Sequence, residues 1–142
     1  MLALRHAIPA GVNERVVANG MRKVGTDLAV PDAALDRMMD AYEAAPVPSV
    51  LFGHLGDNHL HLNLLPRDPG ELEAALAYYD ELARLALSLG GTVSAEHGIG
   101  KLKRTHLRWM VGEAGLSAFR ALKSHVDPAG ILGRGNVFEP AV

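Results

Sequence analysis

The sequence predicts an α+β fold in which an antiparallel sheet carries helices on one face, and two patterns support this. Short apolar or alternating segments, typical of strands, are interspersed with longer segments whose apolar residues recur three and four positions apart, as in helices. Over residues 21–96 these segments follow the order β-α-β-β-α-β. That order is the split βαβ, or ferredoxin-like, arrangement, and we expect further helices at its C-terminal end.

The predicted elements are separated by glycine and proline, which interrupt regular structure. In chain order they are a helix at 2–19, a strand at 21–30, a helix beginning at Pro31, strands at 49–54 and 59–65, a helix at 70–89, a strand at 92–96, and helices at 101–110 and 115–126. Pro31 and Asp32 suit a helix start, and Gly90 and Gly91 suit a helix end. The turn composition of residues 56–58 predicts a hairpin between the two central strands.

The composition is that of an ordinary globular chain and excludes several kinds of site. Hydrophobic residues make up 49% and charged residues 21% of the 142 positions, which is enough for a single domain with a core. The net charge of -2, with both signs interspersed, argues against a nucleic-acid partner. There are no cysteines, so a metal would be bound by histidine and carboxylate groups. No segment has the length of a membrane span, and we expect a cytoplasmic protein.

The strictly alternating strand at 59–65 separates an apolar face from a polar face, because successive side chains of a strand point to opposite sides. The side chains of the apolar face are expected to lie beneath the helices: Leu60, Leu62 and Leu64. Those of the polar face are expected to stand on the open side of the sheet: His59, His61 and Asn63.

The strand at 92–96 repeats this alternation. Val93 and Ala95 are predicted to face inward, which places Glu96 on the open side of the sheet. His61, Asn63 and Glu96 are therefore expected to converge from two strands.

One polar site follows from this convergence. His54 ends the strand before the hairpin turn and lies across it from His61, and Glu96 is followed directly by His97. Two imidazoles and a carboxylate, with an open coordination position, are a usual ligand set for Zn²⁺, Fe²⁺ or Mn²⁺ in a working site. The sequence thus predicts a metal-binding site formed by His54, His61 and Glu96, with His97 beside it.

Other histidines have a plainer interpretation, because a single histidine is more often a hydrogen-bonded or solvated residue than a ligand. We assign this interpretation to His6, His106 and His125, which lie in helical patterns with no partner implied. His59 is ambiguous, since it shares a face with His61 yet fits the rim of a site equally well. The two glycines before Lys101 lack the full spacing of a phosphate-binding loop.

Three motifs in order resemble the C-terminal substrate domain of FAD-linked oxidases. They are GHLGDNHLHLN at 53–63, GGTVSAEHGIGKLKRTHL at 90–107 and LKSHVDPAGIL at 122–132, and the segment RKVGTDLAVP at 22–31 resembles the family as well. The family includes D-lactate dehydrogenases, glycolate oxidase subunits and D-2-hydroxyglutarate dehydrogenases. The resemblance covers nearly the whole chain.

The resemblance implies a role for each residue of the site. His54, His61 and Glu96 would bind a divalent metal, and His97 would be the general base that accepts the hydroxyl proton of a 2-hydroxy acid. The residues that match substrate-binding positions of the family are Arg5, Lys23 and Asn63. The hydride would pass from the substrate carbon to FAD, and the product would be the 2-oxo acid.

The chain departs from the family pattern at two places. It has Asn58-His59 where members often carry Gly-Asn, and Gly133 where an asparagine near the flavin is common; Asn136 is the candidate substitute. No part of the sequence resembles a flavin-binding domain. FAD is therefore expected to be bound mainly by another domain or subunit, with this chain at its edge.

Two alternatives to the interpretation as part of an enzyme stay open. In one, the chain is a stand-alone ferredoxin-like module that binds a metal or a carboxylate without turnover. In the other, it is a structural domain whose histidines are solvated. In a complete enzyme the flavin domain would cover the open sheet face. For the isolated chain we expect self-association as a homo-oligomer, through this face or through helix contacts.

Overall fold

The computed structural model describes residues 2–139, with side chains from residue 7 onward, and it confirms the α+β class. The helices are α1 (Leu2–Asn19), α2 (Leu35–Glu43), α3 (Pro69–Ser88) and α4 (Arg104–Val126). The strands are β1 (Val24–Gly25), β2 (Leu28–Ala29), β3 (Ser49–His54) and β4 (His59–Leu64). Short 3-10 turns precede α2 at Asp32–Ala34 and link β3 to β4 at Leu55–Asp57.

Strand β4 lies at the centre of the sheet. Along one side it pairs with β3, from Ser49 opposite Leu64 to His54 opposite His59, and along the other it pairs with β1 and then β2. All these pairings are antiparallel, and Thr92 adds a single antiparallel bridge to Ala29 beyond β2. This spatial order confirms the split βαβ arrangement predicted from the sequence.

Helices α2 and α3 cover the leucine face of β4, where a continuous apolar core forms. Its largest fully buried apolar side chains come from the sheet, from both helices and from the chain after α3: Leu28, Met38, Leu62, Leu64, Leu82 and Val93. Each such leucine stabilises the fold by roughly 1.5–3 kcal/mol relative to leaving it exposed. Helix α3 begins one residue before its predicted start at 70. The Asp68 carboxylate accepts the Glu71 N–H at 2.9 Å, and Pro69 occupies the first turn.

The strand predicted at 21–30 is interrupted at Thr26 and Asp27, although the register continues unchanged on either side. Thr26 N–H donates to the carbonyl of Leu62, but Leu62 N–H donates to the hydroxyl of Thr26 at 2.9 Å instead of its carbonyl. The freed carbonyl of Thr26 accepts the Nδ1–H of His61 at 3.1 Å. At the interruption, the carbonyl of Thr26 therefore leaves the hydrogen bonding of the sheet and binds His61, a predicted site residue.

The strand predicted at 92–96 is wrong beyond its first residue. Only Thr92 bridges the sheet, and the segment after it is irregular. Val93 is fully buried as expected, but Ala95 is exposed rather than inward. The physical reason is that the chain turns around Asp27, whose main-chain carbonyl accepts Ala95 N–H at 3.2 Å.

The two helices predicted at 101–110 and 115–126 form α4, which is divided at Gly112 (φ 65°, ψ -179°). The predicted division is thus confirmed, and the positive φ explains why a glycine stands there. The first part begins at Arg104, because residues 101–103 form a turn. Among residues 2–139, no helix combines the length and the apolar character that crossing a membrane requires.

Candidate metal and substrate site

The β3–β4 hairpin brings His54 close to His61. Gly53 allows β3 to approach β4 closely, because a Cβ at this position would collide with the carbonyl of His59 and lie 2.8 Å from the Cα of Leu60. Asn58 closes the turn in the left-handed conformation with φ 47°. The ring centroids of His54 and His61 lie 6.2 Å apart.

Glu96 lies between three histidines. Its Oε1 is 2.9 Å from Nε2 of His61 and 3.3 Å from Nε2 of His97, and its Oε2 is 3.5 Å from Nε2 of His54. Partial desolvation alone would raise the pKa of Glu96, but nearby His59 and His54 and the hydrogen bond from His61 outweigh it and lower the pKa. All four residues named from the sequence thus lie together, and their roles stay predictions.

The donor set fits a divalent cation. One potential ligand atom from each of His54, His59, His61 and Glu96 lies within 4.8 Å of the others. Both ring nitrogens of His61 face acceptors, Thr26 O at 3.1 Å and Glu96 Oε1 at 2.9 Å, whereas a neutral imidazole has one N–H. A cation between Nε2 and Glu96 would satisfy this arrangement, with the Nδ1–H bond fixing the ring.

The polar face of β4 is covered, which corrects the expectation of an open face. His59, His61 and Asn63 are 5%, 8% and 3% exposed. His59 and His61 are bonded to Asp27, Thr26 and Glu96, and Asn63 is bonded to Lys23, while His54, Glu96 and His97 are exposed. Self-association, through this face or through helix contacts, stays a prediction.

Asp27 is the main site residue that the sequence reasoning missed. It is fully buried, and its carboxylate accepts hydrogen bonds from two backbone N–H groups and three side chains: Glu96 N, His97 N, Ser94 Oγ, His59 Nε2 and Lys103 Nζ. Burial would raise the pKa of Asp27, but Lys103 and the backbone donors outweigh it and lower the pKa to about 2. An acidic residue within an apolar strand was the available signal, because buried charges are rare unless they are paired. Nothing in the sequence singled out Lys103.

His59 belongs inside the cluster rather than on its rim. Its Nε2 donates to Asp27 Oδ1 at 3.1 Å, and its ring centroid lies 4.4 Å from that of His61. The residue that departs from the family pattern therefore joins Asp27 to the predicted ligands.

Two of the three predicted substrate residues are in contact. Nζ of Lys23 donates to Oδ1 of Asn63 at 2.9 Å, and Nδ2 of Asn63 donates to the carbonyl of His61 at 3.3 Å. The Lys23 side chain is exposed, whereas Asn63 is buried. The third, Arg5, lies in α1, and its side chain is outside the described residues.

The predicted cofactor residue Asn136 is exposed in the turn after α4. The next residue, Val137, donates its N–H to the carbonyl of Gly100 at 2.7 Å. The tail is therefore tied to the glycine loop that follows His97, and a contact of Asn136 with a cofactor stays a prediction.

The histidines outside the site divide three ways. His106 is a hydrogen-bonded residue, as the plainer interpretation allows: it is buried, and its Nε2 lies 2.7 Å from Oδ1 of Asp80, a partner that the sequence did not indicate. His125 is exposed on α4, as a solvated residue would be, and the side chain of His6 is outside the described residues.

Comparison with known proteins decides the family. Residues 1–137 match the model of the FAD linked oxidases, C-terminal domain. The chain belongs to this family. It is 32% identical to a probable mitochondrial D-lactate dehydrogenase of Danio rerio over 126 residues, which cover 84% of this chain and 25% of that protein.

Further relatives in this FAD-linked family carry different names. The chain is 37% identical over 89 residues to the glycolate oxidase subunit GlcD of Bacillus subtilis, covering 61% of this chain and 19% of that protein. It is 33% identical over 93 residues to a D-2-hydroxyglutarate dehydrogenase of Stutzerimonas stutzeri, covering 63% of this chain and 20% of that protein. The chain thus spans a quarter or less of the length of these relatives.

Proposed function

We propose that this chain supplies the metal-binding and substrate-binding part of a flavin-dependent dehydrogenase or oxidase that converts a D-2-hydroxy acid to the 2-oxo acid. The substrate class is a small hydroxy acid such as lactate, glycolate or 2-hydroxyglutarate. The observation that carries the proposal is the convergence of His54, His61 and Glu96, whose ligand atoms lie within 4.8 Å. Membership in the FAD-linked oxidase family supports it.

His54, His61 and Glu96 would hold the divalent metal, with zinc, iron and manganese as the candidates that match nitrogen and oxygen donors. When bound, the ion supplies a positive charge that stabilises the developing alkoxide of the substrate. The protein contributes a fixed ring at His61, whose Nδ1 is held by Thr26, and exposed donors at His54 and Glu96 that a substrate can reach.

His97 would accept the hydroxyl proton. Its side chain is 57% exposed, so a substrate can approach it, and its Nε2 lies 3.3 Å from Glu96 Oε1. Its backbone N–H is bonded to Asp27 and its ring stacks on that of His61, so the ring is held from two directions. A positioned imidazole suits proton transfer near neutral pH.

Lys23 and Asn63 would bind the substrate carboxylate, with Arg5 as a further basic group. The exposed ammonium of Lys23 offers a positive charge, and its hydrogen bond to Oδ1 of Asn63 limits its position. A cation placed beside the metal ligands would orient the hydroxy acid with its hydroxyl toward His97.

The partner would be a flavin-binding domain or subunit. Bound FAD supplies the redox chemistry by accepting the hydride. Asn136, on the tail tied to the glycine loop, is the residue of this chain proposed at its edge. A single domain, a cytoplasmic location and a homo-oligomer stay predictions.

The test is the metal content of the purified chain by elemental analysis. We expect about one divalent ion per chain in the wild type, and little in His61→Ala and in Glu96→Ala. His125→Ala is the matched control, because this histidine is exposed on α4 and should not alter the metal content. Equal metal content in all four proteins would contradict the proposed site.

A stand-alone binding module is the second candidate, because all the clustered donor atoms come from this one chain. The two candidates differ in turnover. Reduction of flavin by a 2-hydroxy acid, in the complete protein or with an added flavin-binding partner, would exclude the stand-alone module, and metal binding without reduction would favour it.

A further inference from the structure

We infer that Asp27 is the positioning residue of the site, which holds Glu96 and His97 in place for metal and substrate. The inference deepens the proposed function and rests on it. It starts from the segment at 94–103, which contains both residues and is irregular. Because this segment has no regular backbone hydrogen bonding of its own, other contacts must hold its conformation.

The carboxylate of Asp27 holds the segment by accepting hydrogen bonds from consecutive backbone N–H groups. Its Oδ1 accepts the N–H of Glu96 at 3.1 Å, and its Oδ2 accepts the N–H of His97 at 3.1 Å. Its main-chain carbonyl accepts the N–H of Ala95 at 3.2 Å. Three successive peptide groups are thus bound to one residue, and the peptide between the predicted ligand and the predicted base is fixed.

The same carboxylate also joins this segment to the sheet. Oδ1 accepts a hydrogen bond from Nε2 of His59 at 3.1 Å, and His59 is a neighbour of His61 on β4. Because Asp27 lies between β1 and β2, it fixes the irregular segment relative to the strands that carry the histidines. The geometry of the ligand set therefore depends on one buried side chain that is not itself a predicted ligand.

Lys103 completes the arrangement. Its Nζ lies 2.6 Å from Oδ2 of Asp27, and its side chain is 13% exposed against 0% for Asp27. A buried carboxylate needs such a partner, since an unpaired buried charge is strongly unfavourable. Lys103 also ends the irregular segment just before α4, so the ion pair holds both ends of the segment at Asp27.

The chain offers a matched control in Asp127. This buried carboxylate likewise accepts two consecutive backbone N–H groups, from Ile131 and Leu132, and pairs with Lys123. None of these partners belongs to the candidate site. Asp127→Asn should therefore reproduce the loss of a buried carboxylate without disturbing the metal ligands.

The experiment is titration of the metal-free full chain with Zn²⁺, using wild type, Asp27→Asn, Asp127→Asn and Glu96→Gln. We expect Asp27→Asn to raise the dissociation constant about 10- to 100-fold, the effect usual for groups that orient metal ligands. Asp127→Asn should change the dissociation constant less than about twofold, because substitutions at distant sites usually act independently. With Co²⁺ bound in place of Zn²⁺, the absorption spectrum, which reports the arrangement of the ligands, should differ from wild type in Asp27→Asn and match it in Asp127→Asn.

A second pair of variants covers the case in which Asp27→Asn does not fold, as judged by circular dichroism. Lys103→Met should weaken Zn²⁺ binding, and Lys103→Arg, which keeps the cation, should largely restore it. Wild-type affinity in folded Asp27→Asn, or in Lys103→Met if the former is unfolded, overturns the inference while leaving the metal site intact. If wild type and Glu96→Gln both fail to bind Zn²⁺, the proposed site and the inference fall together.

Discussion

The imidazole rings of His61 and His97 are stacked, with centroids 4.8 Å apart and planes inclined by 11°. Both Nε2 atoms approach the same oxygen of Glu96, at 2.9 and 3.3 Å. Their surroundings differ, because His61 is buried and held by Thr26 on its far side, whereas the side chain of His97 is more than half exposed. The fixed ring suits a metal ligand, and the accessible ring suits a group that meets substrate.

This difference predicts separable effects of the two histidines. His97→Gln should leave Zn²⁺ affinity within about threefold of wild type. If the proposed flavin-dependent activity holds, it should lower kcat about 10²- to 10⁴-fold, the usual contribution of a general base. His61→Gln should abolish both. The measurements are Zn²⁺ titration and steady-state turnover. Loss of metal in His97→Gln would show that His97 is a ligand rather than the base.

Gly53 is predicted to be indispensable to the hairpin. In Gly53→Ala the new Cβ would collide with the carbonyl of His59, and the backbone φ of 157° is one that glycine favours. We expect the free energy of unfolding to fall by roughly 1–3 kcal/mol, with weaker metal binding through displacement of His54.

Gly56→Ala is the control for this prediction, because nothing lies within 4 Å of a Cβ at that position, in the turn that follows β3. Urea unfolding of both variants tests the prediction. Equal stability of the two would mean that β3 can move away from β4 at little cost.

The parts of the fold that the sequence predicted are those governed by local signals. Helix α3 follows from its apolar periodicity and the two glycines at its end, and the hairpin follows from alternation around a glycine-containing turn. His54 and His61 were predictable for the same reason, since the hairpin register alone brings them together.

The parts that the sequence did not predict depend on contacts between distant residues. Asp27 meets Ser94 across 67 positions and Lys103 across 76. The burial of this carboxylate turns the chain away from the strand expected at 92–96 and covers the face expected to be open. Patterns with periods of two and 3.6 residues carry no information on such a contact.

The pKa of Asp27 predicts an acid-dependent loss of stability. Its pKa in the folded protein, about 2, lies below the ordinary value of 3.8, so folding favours the ionised form. The contribution is therefore fully present above about pH 4 and is lost as the pH falls toward 2, and it amounts to roughly 2 kcal/mol.

Urea unfolding of the metal-free chain between pH 5 and pH 2, in wild type and in Asp27→Asn, measures this contribution. Asp127, whose pKa is also lowered, mainly by its hydrogen bond to Lys123, is present in both proteins, so the difference between them isolates Asp27. We expect the difference in stability to shrink with acid. A difference that stays constant with pH would contradict the prediction.

The pair of buried His106 and half-exposed Asp80 predicts a purely structural effect away from the metal site. The His106 ring packs against Tyr79 and Trp109, and within the described residues its Nδ1 finds no hydrogen-bond partner, so Asp80 is its one polar contact. Asp80→Ala should lower the free energy of unfolding by about 1–3 kcal/mol, because the ring would be buried with neither nitrogen satisfied. His106→Phe, which removes the polar ring itself, should cost less. Neither variant should change Zn²⁺ affinity, and a loss of binding in both would place His106 among the residues that support the site.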